Sequence, residues 1–273
     1  MLFPKLKGKG GIAMAQKIVS GGLVLLLVLV LILMLFVSAA EGGWYLEAQK
    51  MQDEFNRIVG NGITVEPAYL QENILNVKQM FANNGSSIES QYFVYVDRNP
   101  LKQMIFVCFF DSQGKDITLI GADKVSTGNQ KRGGFFITPC GIFKNTVEFL
   151  NYRALGTKND EGWRGLGAKD SRVWDFGWQK TYKKNQEFTI RLLMHATDPV
   201  FGEKRLGKVD SKGCIRISAR MNKFLDHFGL LDKEYEANKN KKAVTWLLKP
   251  DRQPVLYAGR YLLVGDSGNS RID

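Results

Sequence analysis

No charged residue occurs between Ile18 and Ala40, and Leu23 to Val37 is an unbroken run of fifteen apolar side chains. Wound as a helix at ~1.5 Å per residue, the uncharged window is about 34 Å long, enough to cross the ~30 Å hydrocarbon core of a bilayer. Lys5, Lys7, Lys9 and Lys17 precede it, and the first acidic residue is Glu41. The positive-inside tendency then leaves residues 1–17 as a basic cytoplasmic tail, makes 18–40 a transmembrane anchor and exports the remainder. A cleaved signal peptide is the alternative, since Ser38-Ala39-Ala40 offers small residues for a peptidase. We read an uncleaved anchor, because the apolar run equals or exceeds the ~7–15 residues of a normal signal core.

The chain beyond the anchor has the composition of a folded domain. Of 273 residues 44% are apolar and 24% charged, which excludes an intrinsically disordered chain, and seven prolines are too few for a Pro-rich one. Three cysteines and two histidines exclude a disulfide-stapled mini-fold and a paired Cys/His zinc framework, so no metal site and no cofactor is expected. Of 38 basic residues the tail takes four, leaving 34 against 27 acidic residues outside. A basic exported protein suits an anionic envelope polymer; export and the lack of a dense Lys/Arg block with interleaved aromatics argue against nucleic acid.

Residues 41–88 carry two helical stripes, Trp44, Leu46, Met51, Phe55 and Ile58, then Tyr69, Leu70, Ile74, Val77 and Phe81, and read as a helical spacer. Asn83 to Ser87 marks the boundary of the main domain. From residue 89 the period changes to that of strands: Tyr92–Val96 and Met104–Phe110 flank the turn Asp97-Arg98-Asn99-Pro100, with further strands at Ile117–Ile120 and at Phe188–Met194, which leads into His195. The fold class is mainly β with a few helices. Ile217, Met221, Phe224, Leu225 and Phe228 mark an amphipathic helix, Asp232–Lys242 reads as a charged, exposed segment, and Val255–Val264 as a closing strand, so 221–273 forms a C-terminal helix and strand. The glycine-rich stretch Lys158–Asp170 is a lid, a substrate loop or a plain surface excursion.

Gly202 to Lys208 has the spacing of a phosphate-binding loop, but Val209 stands where a magnesium-binding hydroxyl is needed and no buried strand feeds a helix there. Cys108 lies in an apolar strand and reads as core. Cys140, between Pro139 and Gly141, is packed, free or paired with Cys108. Cys214 stands in Ser211-Lys212-Gly213-Cys214-Ile215-Arg216, where neighbouring positive charge favours a thiolate and Gly213 lets backbone approach a substrate carbonyl. A cysteine nucleophile needs a base. His227 sits on the amphipathic helix as a surface or boundary residue, which leaves His195, nineteen positions before Cys214, as the candidate partner.

The stretch from His195 through Ser211-Lys212-Gly213-Cys214-Ile215-Arg216 resembles the signature of the L,D-transpeptidase (YkuD-type) family. Three further segments resemble that family's elements in the same order: Tyr95-Val96-Asp97-Arg98, Ser126-Thr127-Gly128 and Thr138-Pro139-Cys140-Gly141-Ile142-Phe143. The resemblance covers roughly residues 90–220 and implies a β-sandwich-like catalytic domain over 89–220. It implies that Cys214 is the nucleophile, attacking the carbonyl of the third residue of a peptidoglycan stem tetrapeptide and releasing D-alanine. It further implies that His195 is the proton donor and acceptor, that the backbone carbonyl of Ala196 orients it, and that backbone N–H groups of Lys212, Gly213 and Cys214 form the oxyanion hole. Ser211 and Arg216 are read as substrate-binding positions, a structural salt bridge being the alternative for Arg216. The acyl group passes to an amine of another stem peptide, giving a 3→3 cross-link, or to an envelope protein. The chain departs from the family in Lys212, where most members have histidine, and in a longer interval between His195 and Cys214, filled by the charged stretch Phe201–Asp210.

The resulting expectation is a single-pass protein of the inner (cytoplasmic) membrane, its catalytic domain on the periplasmic, extracytoplasmic side, with peptidoglycan stem peptides as partners. The alternatives are a hydrolase using the same cysteine, whether L,D-carboxypeptidase or an endopeptidase that cleaves cross-links or the anchor of an envelope protein, and a non-catalytic wall-binding module.

Overall fold

The computed structural model describes residues 44–268 apart from 86 and 185. The apolar run 18–40 lies outside the described residues, within which no helix is long and apolar enough to cross a membrane. The chain divides into two compact units, 1–50 and 51–273. Of the first, the described residues 44–50 are helical.

The second unit opens with helix α1 (51–58) and helix α2 (Pro67–Asn83). Helix α2 starts where Glu66, in extended conformation, accepts the N–H groups of Ala68 (2.9 Å) and Tyr69 (2.8 Å) and Pro67 occupies the first turn, the usual chemistry of a capped start. Two sheets follow. The first has the order β3 (Asp116–Lys124), β2 (Met104–Asp111), β1 (Gln91–Asp97), β9 (Tyr261–Gly265), β4 (Gly141–Lys144). All pairs are antiparallel except β1 with β9.

The β1–β2 turn is held by its own side chains: Asp97 accepts the N–H of Asn99 and Asn99 that of Leu101, each at 3.0 Å. Helix α2 covers one face of this sheet, placing Tyr69, Val77, Met80 and Phe81 against Phe93, Phe106, Phe110 and Leu263. Every residue of β1 is buried, as in a central strand covered on both faces. Cys108, in β2, is part of this core, and its burial pushes the thiol far above the ordinary range.

The second sheet has the order β5 (Tyr152–Arg153), β6 (Arg172–Lys183), β7 (Gln186–Ala196), β8 (Ile215–Ile217), with β7 and β8 parallel. One face carries Trp174, Leu192, Met194, Ala196, Ile215 and Ile217, all buried. Helix α3 (Ala219–His227) leaves β8 through Ser218, whose hydroxyl caps the Met221 N–H at 3.0 Å. Its Asn222 clamps the backbone of Arg172 in β6 with two hydrogen bonds, at 3.1 and 2.8 Å.

The stretch Asp232–Lys242 is exposed over 239–242, as its charges suggest, but its start is not. It begins a short helix, α4 (Lys233–Ala237), and Asp232 and Tyr235 are fully buried. The reason is charge pairing: Asp232 receives Arg172 at 2.9 Å and Arg252 at 2.7 Å, and buried guanidiniums require such a partner.

Candidate active site

The parallel register of β7 and β8 places His195 opposite Arg216 and Met194 opposite Ile215. Because side chains alternate along a strand, His195 and Arg216 share one face while Met194 and Ile215 point into the core. Cys214, one residue before Ile215, falls in the row of Leu193 and is the diagonal neighbour of His195 on that same face. The antiparallel pairings extend the rows, adding Tyr152 and Val173 beside His195 and Asp175 beside Leu193.

His195 is buried, and its Nδ1 lies 2.8 Å from the carbonyl oxygen of Ala196. A carbonyl only accepts, so Nδ1 carries the proton and Nε2 of the neutral ring keeps its lone pair. Burial pulls the His195 pKa down to about 4, helped by the positive charge of Arg216 and opposed by the bond to Ala196. Cys214 is partly exposed, and burial pushes its thiol upward. The Leu193 N–H directed at the sulfur and the Arg216 charge pull it back, while Asp175 adds to the rise. At neutral pH the two side chains are therefore a thiol and a neutral imidazole rather than a standing ion pair.

The depressed His195 pKa has a consequence for stability. Below the unfolded value of ~6.5 the unfolded chain binds a proton that the folded chain refuses until about pH 4. This contribution to stability is intact above ~6.5 and declines as pH falls through the window, by roughly 3 kcal/mol in all. Urea unfolding at pH 7 and pH 4 is expected to show a larger acid loss for the natural chain than for His195→Gln; equal losses would contradict the assignment.

Segments far apart in sequence brace the cysteine loop. Ser126 exchanges two backbone hydrogen bonds with Arg216, both 2.9 Å, and Thr127 accepts the N–H groups of Asp210 and Ser211, so the stretch 126–128 runs along the free edge of β8. Thr138 Oγ1 donates to the carbonyl of Gly213 at 2.8 Å and accepts the Gly128 N–H at 2.9 Å. Gly128 admits no side chain, since a Cβ there would stand 2.0 Å from the carbonyl oxygen of Phe136. Gly213 has φ +132°, a conformation that favours glycine. From the first hairpin Arg98 reaches the Thr138 carbonyl at 2.5 Å, and Gln103 bonds both the hydroxyl and the N–H of Thr127.

Within the loop Ser211 is fully buried. Its hydroxyl donates to the Cys214 carbonyl at 2.5 Å and accepts the Gly213 N–H at 3.1 Å. The N–H groups of Lys212 and Cys214 donate to no described residue. The Lys212 side chain is exposed and passes over the Phe135 ring at 5.8 Å. Arg216 donates to the Asp210 carbonyl at 3.2 Å.

Three residues of this face carry no motif: Tyr152, Asp175 and Arg191. Arg191 holds the buried Asp175 carboxylate through Nε at 3.0 and 2.9 Å and Nη2 at 2.7 Å. Burial raises the Tyr152 pKa, and the charges of Asp175 and a Cys214 thiolate raise it further, which puts the phenol in the electrostatic reach of the sulfur. The one linear signal is Asp175 itself, a carboxylate between Trp174 and Phe176 in an otherwise apolar strand. Among the described residues no three His, Cys, Asp or Glu side chains are placed to hold a metal ion.

No protein-family model matches the chain, and no curated protein matches it. A solved structure similar to it is the crystal structure of a fused Zn-dependent amidase/peptidase/peptidoglycan-binding domain-containing protein from Clostridium acetobutylicum ATCC 824, at TM-score 0.31 and 15% identity. The match covers 74% of this chain, which spans 65% of that chain.

Proposed function

We propose that the chain is a membrane-anchored cysteine L,D-transpeptidase acting on peptidoglycan stem peptides, with its catalytic domain on the extracytoplasmic side. The observation that carries this reading is the meeting of four separated segments, at Arg98, at 126–128, at Thr138 and at 211–214, around one cysteine whose face also bears a histidine fixed in the acceptor tautomer.

The chemistry follows from the tautomer. As Cys214 Sγ attacks the carbonyl of the third stem residue, its proton moves to Nε2 of His195, whose imidazolium is supported through Nδ1–H by the Ala196 carbonyl. The oxyanion is met by the unengaged N–H of Cys214 with that of Lys212, because the Gly213 N–H is held by Ser211. Collapse breaks the C–N bond to D-alanine, His195 returns the proton to the departing amine, and a thioester remains. An acceptor amine then attacks the thioester, gives its proton to His195, and the thiol is restored. In this account Ser211 shapes the loop and Arg216 favours the developing thiolate.

The experiment is intact-protein mass spectrometry of the full-length chain with a carbapenem, which enzymes of the resembled family accept as a pseudo-substrate. One adduct with the full mass of the carbapenem is expected, from β-lactam opening by the thiol, and none on Cys214→Ala. An adduct that persists in Cys214→Ala would overturn the choice of nucleophile.

A further inference from the structure

Asp210, immediately before the catalytic loop, gathers guanidiniums from three separate segments. Arg132 lies at 3.2 Å, Arg216 at 3.6 Å, and Arg205 is in direct contact. Three positive charges meet one carboxylate, and among the described residues no other carboxylate pairs with any of the three, so two charges are uncompensated. Arg132 and Arg205 are open to solvent, with side chains 53% and 34% exposed.

The cluster adjoins the reacting pair, because Arg216 stands opposite His195 in the β7–β8 register and two residues beyond Cys214 on the same face. Aromatic rings border it: Arg132 lies 4.8 Å from the centre of the Phe135 ring and Arg205 4.6 Å from that of Trp163, which stands beside Phe201. Trp163 belongs to the glycine-rich loop, which is seated against the residue after the catalytic histidine: a Cβ on Gly167 would stand 2.7 Å from the Cβ of Ala196.

The charge, the donor type and the distance together specify a ligand. Guanidiniums present planar forks that match a carboxylate, and Asp210 already occupies one side of them. Arg216 lies two residues beyond Cys214 on one strand face, ~7 Å along it. An attack distance of ~3–3.5 Å plus the ~3.6 Å reach of one residue spans the same interval.

We infer that the arginines around Asp210 form a carboxylate subsite, which holds the free C-terminal carboxylate of the acyl donor one residue beyond the scissile carbonyl and so selects donors that end there. This rests on the acyl-transfer reading above. The Gly-rich loop supplies the aromatic wall of the subsite through Trp163.

The test is calorimetric binding to full-length Cys214→Ala, which cannot turn over, of a stem tetrapeptide and of the same peptide as its C-terminal carboxamide. The acid is expected to bind at least about tenfold more tightly than the amide. That preference should vanish in Arg132→Gln/Arg205→Gln, survive in part in Arg205→Lys, and shrink as salt rises from about 0.05 to about 0.5 M. The salt series needs no arginine variant and decides the matter should the double variant not fold. Equal binding of acid and amide, a preference indifferent to salt and to both arginines, or no binding of either peptide would overturn the subsite. The two readings fail separately. Arginine-dependent preference without a Cys214 thioester in the natural chain would leave the subsite and remove the reaction; thioester formed equally fast from acid and amide would do the reverse.

Discussion

His195→Ala is expected to lower kcat/KM for acylation at pH 7 by a factor of about 10²–10⁴ while the protein remains folded. The size of the loss follows from the resting protonation states. Burial holds the Cys214 thiol above its ordinary pKa and His195 near 4, so almost no thiolate is present beforehand and the proton must be removed during attack. Without Nε2 the face offers only poor acceptors: Arg216 has no lone pair to give, and the Asp175 carboxylate is held by Arg191. The variant should therefore recover with pH, its acylation rate rising about tenfold per unit as free thiolate forms, whereas the natural chain stays flatter. The Ala196 carbonyl would lose its partner at a cost of about 1–3 kcal/mol, so unfolding midpoints serve as the control. A rate within tenfold of the natural chain at pH 7 would contradict the assignment.

The second large effect is on stability. Asp232→Ala should destabilise the chain by about 3–5 kcal/mol, read from the shift in urea midpoint. Asp232 is the shared partner of Arg172 (2.9 Å) and Arg252 (2.7 Å), whose side chains are 0% and 5% exposed, and Asn145 also points to it at 3.5 Å. Removing the carboxylate leaves the fully buried Arg172 with Asp226 at 3.6 Å as its remaining carboxylate and no hydrogen bond on Nε or Nη1, while Arg252 keeps Glu236 at 2.8 Å. The exposed pair Lys180–Glu187 on the β6–β7 hairpin is the comparison: Glu187→Ala should cost less than ~1 kcal/mol. A loss below ~1 kcal/mol for Asp232→Ala would show that the buried cluster is not a keystone of this fold.

The burial of Asp232 also shows where linear reading stops. A run of charges around a tyrosine has the pattern of a solvated segment, as 239–242 are, and only partners at 172 and 252, sixty and twenty positions away, turn its start inward. Local signals carried further. The apolar runs on either side of Asp97–Pro100 become β1 and β2 in direct register, and the strand leading into His195 becomes β7. The long-range order of the sheets had no such signature: β9 enters between β1 and β4, bringing residues 261–265 into the sheet of 91–97, and parallel pairing at that separation leaves no local periodicity. Likewise residues 67–83 show a helical stripe in sequence, but that its Tyr69, Val77 and Phe81 lie on the first sheet is known only from the fold.

The site divides in the same way. Cys214, His195, Gly213 and Thr138 stand in motifs, whereas Tyr152, Asp175 and Arg191 reach the same face through strand register alone. Ser211 stands in a motif whose physical use is internal, as its hydroxyl closes the loop between Gly213 and Cys214.

The reaction proposed for this face is cysteine acyl transfer on stem peptides. Its most direct test is mass spectrometry of the products formed when the full-length chain meets purified tetrapeptide muropeptides, with Cys214→Ala as control. Cysteine-dependent dimers that have lost one D-alanine, joined 3→3, are expected. Tripeptide alone would replace transfer with hydrolysis by the same thiol, and the absence of any cysteine-dependent product would rule out acyl transfer by Cys214.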